Sequence, residues 1–162
     1  MAWEAGRMRP EDRLAELRLT LPAAPPTASG GYELAVRTGN LLFLAGHGPL
    51  RNGEVSYVGK LGRRFSLDDG RAAAELAACN MLATLIATLG ELSRVRRVVK
   101  LFGMVNCTED FERLPDVLDG ASRVFVALWG DAGRHARSAV GMQQLPSGMA
   151  IEIEGVFELA DG

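Results

Sequence analysis

The residues best suited to chemistry lie in two stretches near the C-terminal end. In Ala136-Arg137-Ser138-Ala139-Val140-Gly141-Met142, an extended backbone puts Arg137, Ala139 and Gly141 on one face. In Ile151-Glu152-Ile153-Glu154-Gly155-Val156-Phe157-Glu158, it separates Ile151, Ile153 and Phe157 from Glu152, Glu154 and Glu158. If the two stretches pair as a hairpin, a guanidinium and carboxylates share one sheet face. That face cannot pack on helices, because an unpaired buried charge costs several kcal/mol. One reading is a solvated face with cross-strand charge pairs, each worth about a few tenths of a kcal/mol. The other is a cleft between subunits where Arg137 receives a ligand carboxylate, which its planar fork matches bidentately and Lys could not. The strand pattern alone leaves both open, as it does whether Glu152 or Glu154 faces such a cleft, since a one-residue slip reverses the faces.

Other candidates are less specific. His47 stands between two glycines in Ala45-Gly46-His47-Gly48-Pro49, where backbone can approach a ligand or simply turn, and its side chain titrates near neutral pH. His135, two residues before Arg137, reads as an exposed side chain. The two histidines lack metal-ligand spacing, so no metal is assigned, and no phosphate-cradling or nucleotide-binding glycine motif occurs. Cys79 and Cys107 have no paired spacing, which suggests a reducing, cytoplasmic setting; Cys79 reads as a small buried hydrophobe and Cys107 as lying near a strand end. A net charge of -2 argues against a nucleic-acid surface, so Arg94-Val95-Arg96-Arg97 reads as a solvated strand entrance. No apolar run reaches the ~20 residues of a membrane helix, and residues 1–7 lack the apolar core of a secretory signal.

The elements that must position these residues follow from periodicity. Leu14, Leu17 and Leu21 mark a short amphipathic helix over 10–20, and the Pro-, Ala- and Gly-rich stretch 22–31 reads as a linker. Strands are expected over 32–36 and 41–45 about a Thr38-Gly39-Asn40 turn, and over 55–58 after Asn52-Gly53. Ser66 with Asp69 is a capping box opening a helix whose apolar stripe runs from Ala74 to Leu89 and stops at Gly90. A strand over 95–105, a second helix from near Phe111 to Leu128, and strands over 136–143 and 149–159 complete the order β-β-β-α-β-α-β-β. The expected fold class is α+β: one mixed sheet with both long helices on one face, and its other face solvated or against another subunit. Residues 1–31 form an N-terminal helix and linker, and 32–162 one domain.

Three segments in this order resemble the Rid (YjgF-like) family: 38–46 with Thr38-Gly39-Asn40, Ala136-Arg137-Ser138-Ala139-Val140, and Leu145-Pro146 leading into Ile151-Glu152-Ile153-Glu154. The resemblance spans about 32–157, and the N-terminal helix points to a longer bacterial branch that carries an endoribonuclease label. It implies a chorismate-mutase-like fold (bacillus type) and a homotrimer with a ligand cleft at each interface. It also implies hydrolysis of 2-imino or 2-enamino acids to 2-oxo acids and ammonia, without a cofactor. By the same resemblance, Arg137 holds the substrate carboxylate, Glu152 positions or deprotonates the attacking water, and Tyr32 and Gly46 line the cleft. Three positions depart from the family pattern: Ala139 stands where Cys is usual, His47 where Gln is common, and Gly120 where the second helix carries Asn. Cys107 lies on a different strand from that missing thiol. The departures favour a narrower substrate, or a regulatory trimer that binds small carboxylate metabolites without turnover. Endoribonuclease activity is the weaker alternative, and His47 acting as a general base is a further one.

Overall fold

The structure is a computed structural model that describes residues 8–28 and 30–160. The reading of residues 1–7 lies outside it, as does Ser29 of the linker. In chain order the elements are α1 (Pro10–Glu16), β1 (Ala35–Thr38), β2 (Leu41–His47), β3 (Leu50–Arg51), β4 (Glu54–Val55), α2 (Leu67–Leu89), β5 (Val95–Asn106), α3 (Leu114–Trp129), β6 (Ala136–Met142) and β7 (Ile151–Leu159). Five strands form one mixed sheet in the order β1-β2-β7-β5-β6. β6 runs parallel to β5 because α3 forms the crossover between them; the other pairs are antiparallel.

Both long helices lie on one sheet face. α2 opens with the expected capping box, in which the Ser66 hydroxyl accepts from the Asp69 N–H and the Asp69 carboxylate accepts from the Ser66 N–H. It ends at Gly90 in a positive-φ conformation. α2 is the helix among the described residues whose length and apolarity would suit a membrane span, yet most of it is buried in the core. Met81 on α2 lies over Gly155 of β7, and Leu118 on α3 over Gly103 of β5, each filling space that a Cβ on the glycine would take. Fully buried Trp129, Phe125, Phe157, Leu101 and Leu82 build the core between the layers.

Two expectations are corrected. Residues 55–58 do not form a third sheet strand: β3 and β4 make a separate two-stranded ribbon around the positive-φ pair Asn52-Gly53, and Val58 makes one isolated bridge to Met149. The last two strands do not form a hairpin, because β5 lies between β6 and β7 and pairs with both. Register then sets the faces. Arg137 pairs with Leu101, which pairs with Gly155, so Arg137 is on the helix-covered side; Glu152 pairs with Met104 and projects from the opposite side. The N-terminal segment packs on this body. Arg13 donates to the Ala127 carbonyl on α3, and Glu11 accepts from the Ser93 N–H.

Candidate functional site

Arg137 sits on the edge strand β6, where the helix layer leaves its side chain 28% exposed. Asp119 and Ser122, three residues apart on α3 and therefore on one helix face, meet it. Nη1 contacts Asp119 Oδ1 at 2.8 Å and donates to Ser122 Oγ at 3.0 Å. Among the described residues the Nε/Nη2 edge makes no hydrogen bond or ion pair, so two parallel donors remain for a carboxylate. Ala139 and Gly141 follow Arg137 along the same face. Near Gly141 a cleft of about 930 Å³ opens at the C-terminal ends of β5 and β6, lined by Lys60, Cys107, Phe111 and Leu114. Cys107 Sγ is 3.1 Å from where a Cβ on Gly141 would lie. Cys107 does follow a different strand from Ala139, yet a thiol reaches this face two residues beyond Ala139; burial raises its pKa. Lys60 Nζ ties the cleft together, donating to Asn106 Oδ1 and to the Cys107 and Gln143 carbonyls.

The carboxylates occupy the uncovered face. Glu152 lies over Gly46, where a Cβ would collide with its Oε1, so the glycine is what lets the carboxyl settle on the β2 backbone. A β-bulge between Leu44 and His47 turns Gly46 to this side. Glu154, two residues along, borders a shallow concavity of about 340 Å³ with Tyr32, Phe43, Lys100 and Phe102. Both Glu152 and Glu154 therefore face outward on this side. Burial, and then the neighbouring Glu154 charge, push the Glu152 pKa up. The folded chain thus holds this proton more tightly than the unfolded chain does. The stabilisation is complete below the ordinary carboxylate range and is lost as pH rises through the raised value. Glu152→Gln, which cannot ionise, is expected to melt higher than wild type at neutral pH, with the difference vanishing as pH falls to about 4. Thermal melts across a pH series measure this directly.

Two candidates prove to lie inside the fold. His47 is 1% exposed: its Nδ1 hydrogen bonds the Ala45 carbonyl at 2.7 Å, and its Nε2 contacts Thr84 Oγ1 of α2 at 2.7 Å. Since a carbonyl only accepts, Nδ1 carries the hydrogen and Nε2 takes Thr84's. Burial lowers its pKa, and a neutral, doubly bonded imidazole under the sheet has no route to a substrate proton. Gly120 lies where α3 crosses α2, and a Cβ there would overlap the Arg71 carbonyl. The structure thus brings Arg137 to one side of the sheet, with Glu152, Gly46 and Tyr32 on the other. Asp119 and Ser122 escaped notice because nothing in the sequence sets them beside Arg137 until α3 is known to cover β6. His135, expected to be exposed, is half-buried, with its ring 6.2 Å edge-to-face from Phe125.

The YjgF/chorismate-mutase-like family, described as "putative endoribonuclease", matches residues 11–151. The chain belongs to that family. The Trypanosoma cruzi protein TCP17 is 38% identical over 147 residues, covering 90% of this chain and 91% of that one. The crystal structure of Atu1372 from Agrobacterium tumefaciens, a protein of unknown function, is 40% identical with a TM-score of 0.86, covering 93% of this chain and 92% of that one. A Shewanella oneidensis structure named "putative endoribonuclease" is 34% identical with a TM-score of 0.90, covering 94% of this chain and 100% of that one. Family membership and the α+β architecture are therefore as the sequence implied, and the match begins within α1.

Proposed function

We propose that this chain is a cytoplasmic homotrimer that hydrolyses 2-imino or 2-enamino acids to 2-oxo acids and ammonia in a cleft between protomers. The observation that carries the reading is the placement of Arg137 and Glu152 on opposite faces of one sheet, each with its functional edge unused. Within one protomer they cannot address the same small molecule. Where the β6 edge of one protomer meets the uncovered face of the next, the free Nε/Nη2 edge and the Glu152 carboxyl can converge. A raised pKa suits Glu152 to general-base work. In this scheme the substrate carboxylate docks on Arg137, and water adds to the electrophilic C2. Glu152 takes a proton from that water and returns it to nitrogen; it then takes the hydroxyl proton as the C2 carbonyl forms and ammonia leaves, and that proton passes to solvent. An iminium carbon needs little beyond such positioning, which fits a site whose Ala139 supplies no thiol. The fold relative TdcF of E. coli, 20% identical, was solved with bound serine, a small molecule bearing a carboxylate.

The uncovered face also supports the trimer. Val36 and Phe43 are 53% and 43% exposed on it, beside the partly exposed Phe102, Met104 and Val156. A contiguous apolar sheet face of this kind marks an association surface. Phe43→Arg is expected to convert a species of three 17.4 kDa chains into a monomer in sedimentation experiments. Two free cysteines, one buried and one half-buried, support a reducing compartment. On the same face Glu152, Glu154 and Glu158 stand among Arg97 and Lys100, with Glu158 paired to Arg96, so no concentrated basic surface for RNA is formed there. A second reading, a regulatory trimer that binds 2-oxo acids without turnover, is favoured by Ala139, which supplies no thiol on the Arg137 face, and by the burial of His47, which withdraws it from acid–base work. Ammonia release from freshly generated 2-iminobutyrate separates the two: acceleration supports the enzyme, and tight 2-oxobutyrate binding without acceleration supports the binder.

A further inference from the structure

Arg137 is held by a chain of groups that the proposed reaction does not use. His135 Nδ1 lies 2.7 Å from the Gly133 carbonyl, and its Nε2 lies 3.0 Å from Ser122 Oγ. The carbonyl can only accept, so Nδ1 carries the imidazole hydrogen. In the neutral ring Nε2 is then an acceptor, and it takes the Ser122 hydroxyl hydrogen. With its hydrogen committed, the hydroxyl presents a lone pair to Arg137 Nη1, 3.0 Å away. Asp119 Oδ1 takes the second hydrogen of the same nitrogen. Nη1 is thereby saturated, and the guanidinium can present a carboxylate only with its Nε/Nη2 edge.

We infer that Ser122 and His135 are positioning residues, a polarised relay that orients the Arg137 fork toward the carboxylate of its ligand. The inference rests on the reading of Arg137 as the carboxylate anchor and adds what fixes its orientation. The parts are placed for it: Ser122 and Asp119 on α3 approach from one side, and His135 immediately precedes β6, two residues before Arg137. The His135 ring is kept in place by edge-to-face contact with Phe125 in the core. Burial and the Arg137 charge both lower the His135 pKa, which keeps Nε2 an acceptor at neutral pH. An arginine on a sheet edge has many rotamers, and holding one of them removes an ordering cost from binding. The hydroxyl matters for its single hydrogen: a side chain without one leaves Nη1 with Asp119 alone and the fork free to turn.

The test is calorimetric titration of the intact protein with 2-oxobutyrate, alongside KM and kcat for 2-iminobutyrate. Ser122→Ala is expected to weaken 2-oxobutyrate binding by about tenfold, the size of effect seen when a supporting partner of a ligand-binding group is lost. KM should rise by a similar factor, with a smaller change in kcat. Ser122→Thr, which keeps the hydroxyl, should bind within about threefold of wild type, whereas a purely steric role for Ser122 would make the larger Thr the worse variant. His135→Phe keeps the ring against Phe125 but breaks the relay, and should match Ser122→Ala. If Arg137→Ala abolishes binding while Ser122→Ala and His135→Phe bind as wild type does, the relay is overturned and the anchor stands. If wild type binds 2-oxobutyrate no better than Arg137→Ala, the anchor falls and the relay with it.

Discussion

Arg137→Ala is expected to abolish 2-oxobutyrate binding and to lower kcat/KM for 2-iminobutyrate by roughly 10²-fold or more, while assembly and melting temperature stay near wild type. Truncating one partner of a hydrogen-bonded charge pair costs roughly 2–5 kcal/mol, and each 1.4 kcal/mol is a factor of ten. Stability should be spared because Arg137 lies on an edge strand and its partner Asp119 is 35% exposed, so the carboxylate left behind remains solvated. Arg137→Lys should recover little, since an ammonium keeps the charge but not the two parallel donors. Calorimetry and steady-state kinetics on the same preparation measure both halves. Undiminished binding in the alanine variant would remove Arg137 from the site.

The second large effect concerns stability. Alanine usually improves a helix relative to glycine by about 1 kcal/mol. At Gly120 the sign should reverse, because a Cβ would overlap the Arg71 carbonyl and neither partner is a flexible side-chain end. Separating α2 from α3 enough to admit a methyl group costs about 1–3 kcal/mol of overpacking. For a chain of this size that lowers the melting temperature by roughly 2–4 °C per kcal/mol, or several degrees in all. Gly120→Ala should bind 2-oxobutyrate as wild type does once folded. The opposite pattern, an unchanged melt with lost binding, would place Gly120 at the ligand site, where the family resemblance has Asn.

What the sequence made legible was local. The capping box at Ser66 and Asp69, the stripe from Ala74 to Leu89 and the turn at Gly39 are written within a few residues, and each appears where its spacing put it. Alternation also separated Arg137 from Ser138 and Glu152 from Ile153 correctly. It could not say which face was covered, because that depends on sheet order, a property of contacts far apart in sequence. The adjacency of the last two strands suggested a hairpin, yet the α3 crossover delivers β6 parallel to β5, and β7 inserts between β5 and β2. One error of pairing therefore placed Arg137 and Glu152 together on one side. His47 shows the same limit from another direction: the bulge that turns Gly46 outward sends His47 inward to Thr84, and nothing in Gly46-His47-Gly48 marks a bulge.

The shared cleft is tested most directly by mixing variants. Arg137→Ala and Glu152→Gln chains, each expected to be inactive alone, would be unfolded together, refolded as mixed trimers and assayed for ammonia release from 2-iminobutyrate. If Arg137 of one protomer works with Glu152 of the next, random mixing rebuilds about a quarter of the sites with both residues intact. Activity near that fraction of wild type is the expected result. Mixed trimers that form but stay inactive, beside a wild type that accelerates ammonia release, would contradict a cleft divided between protomers.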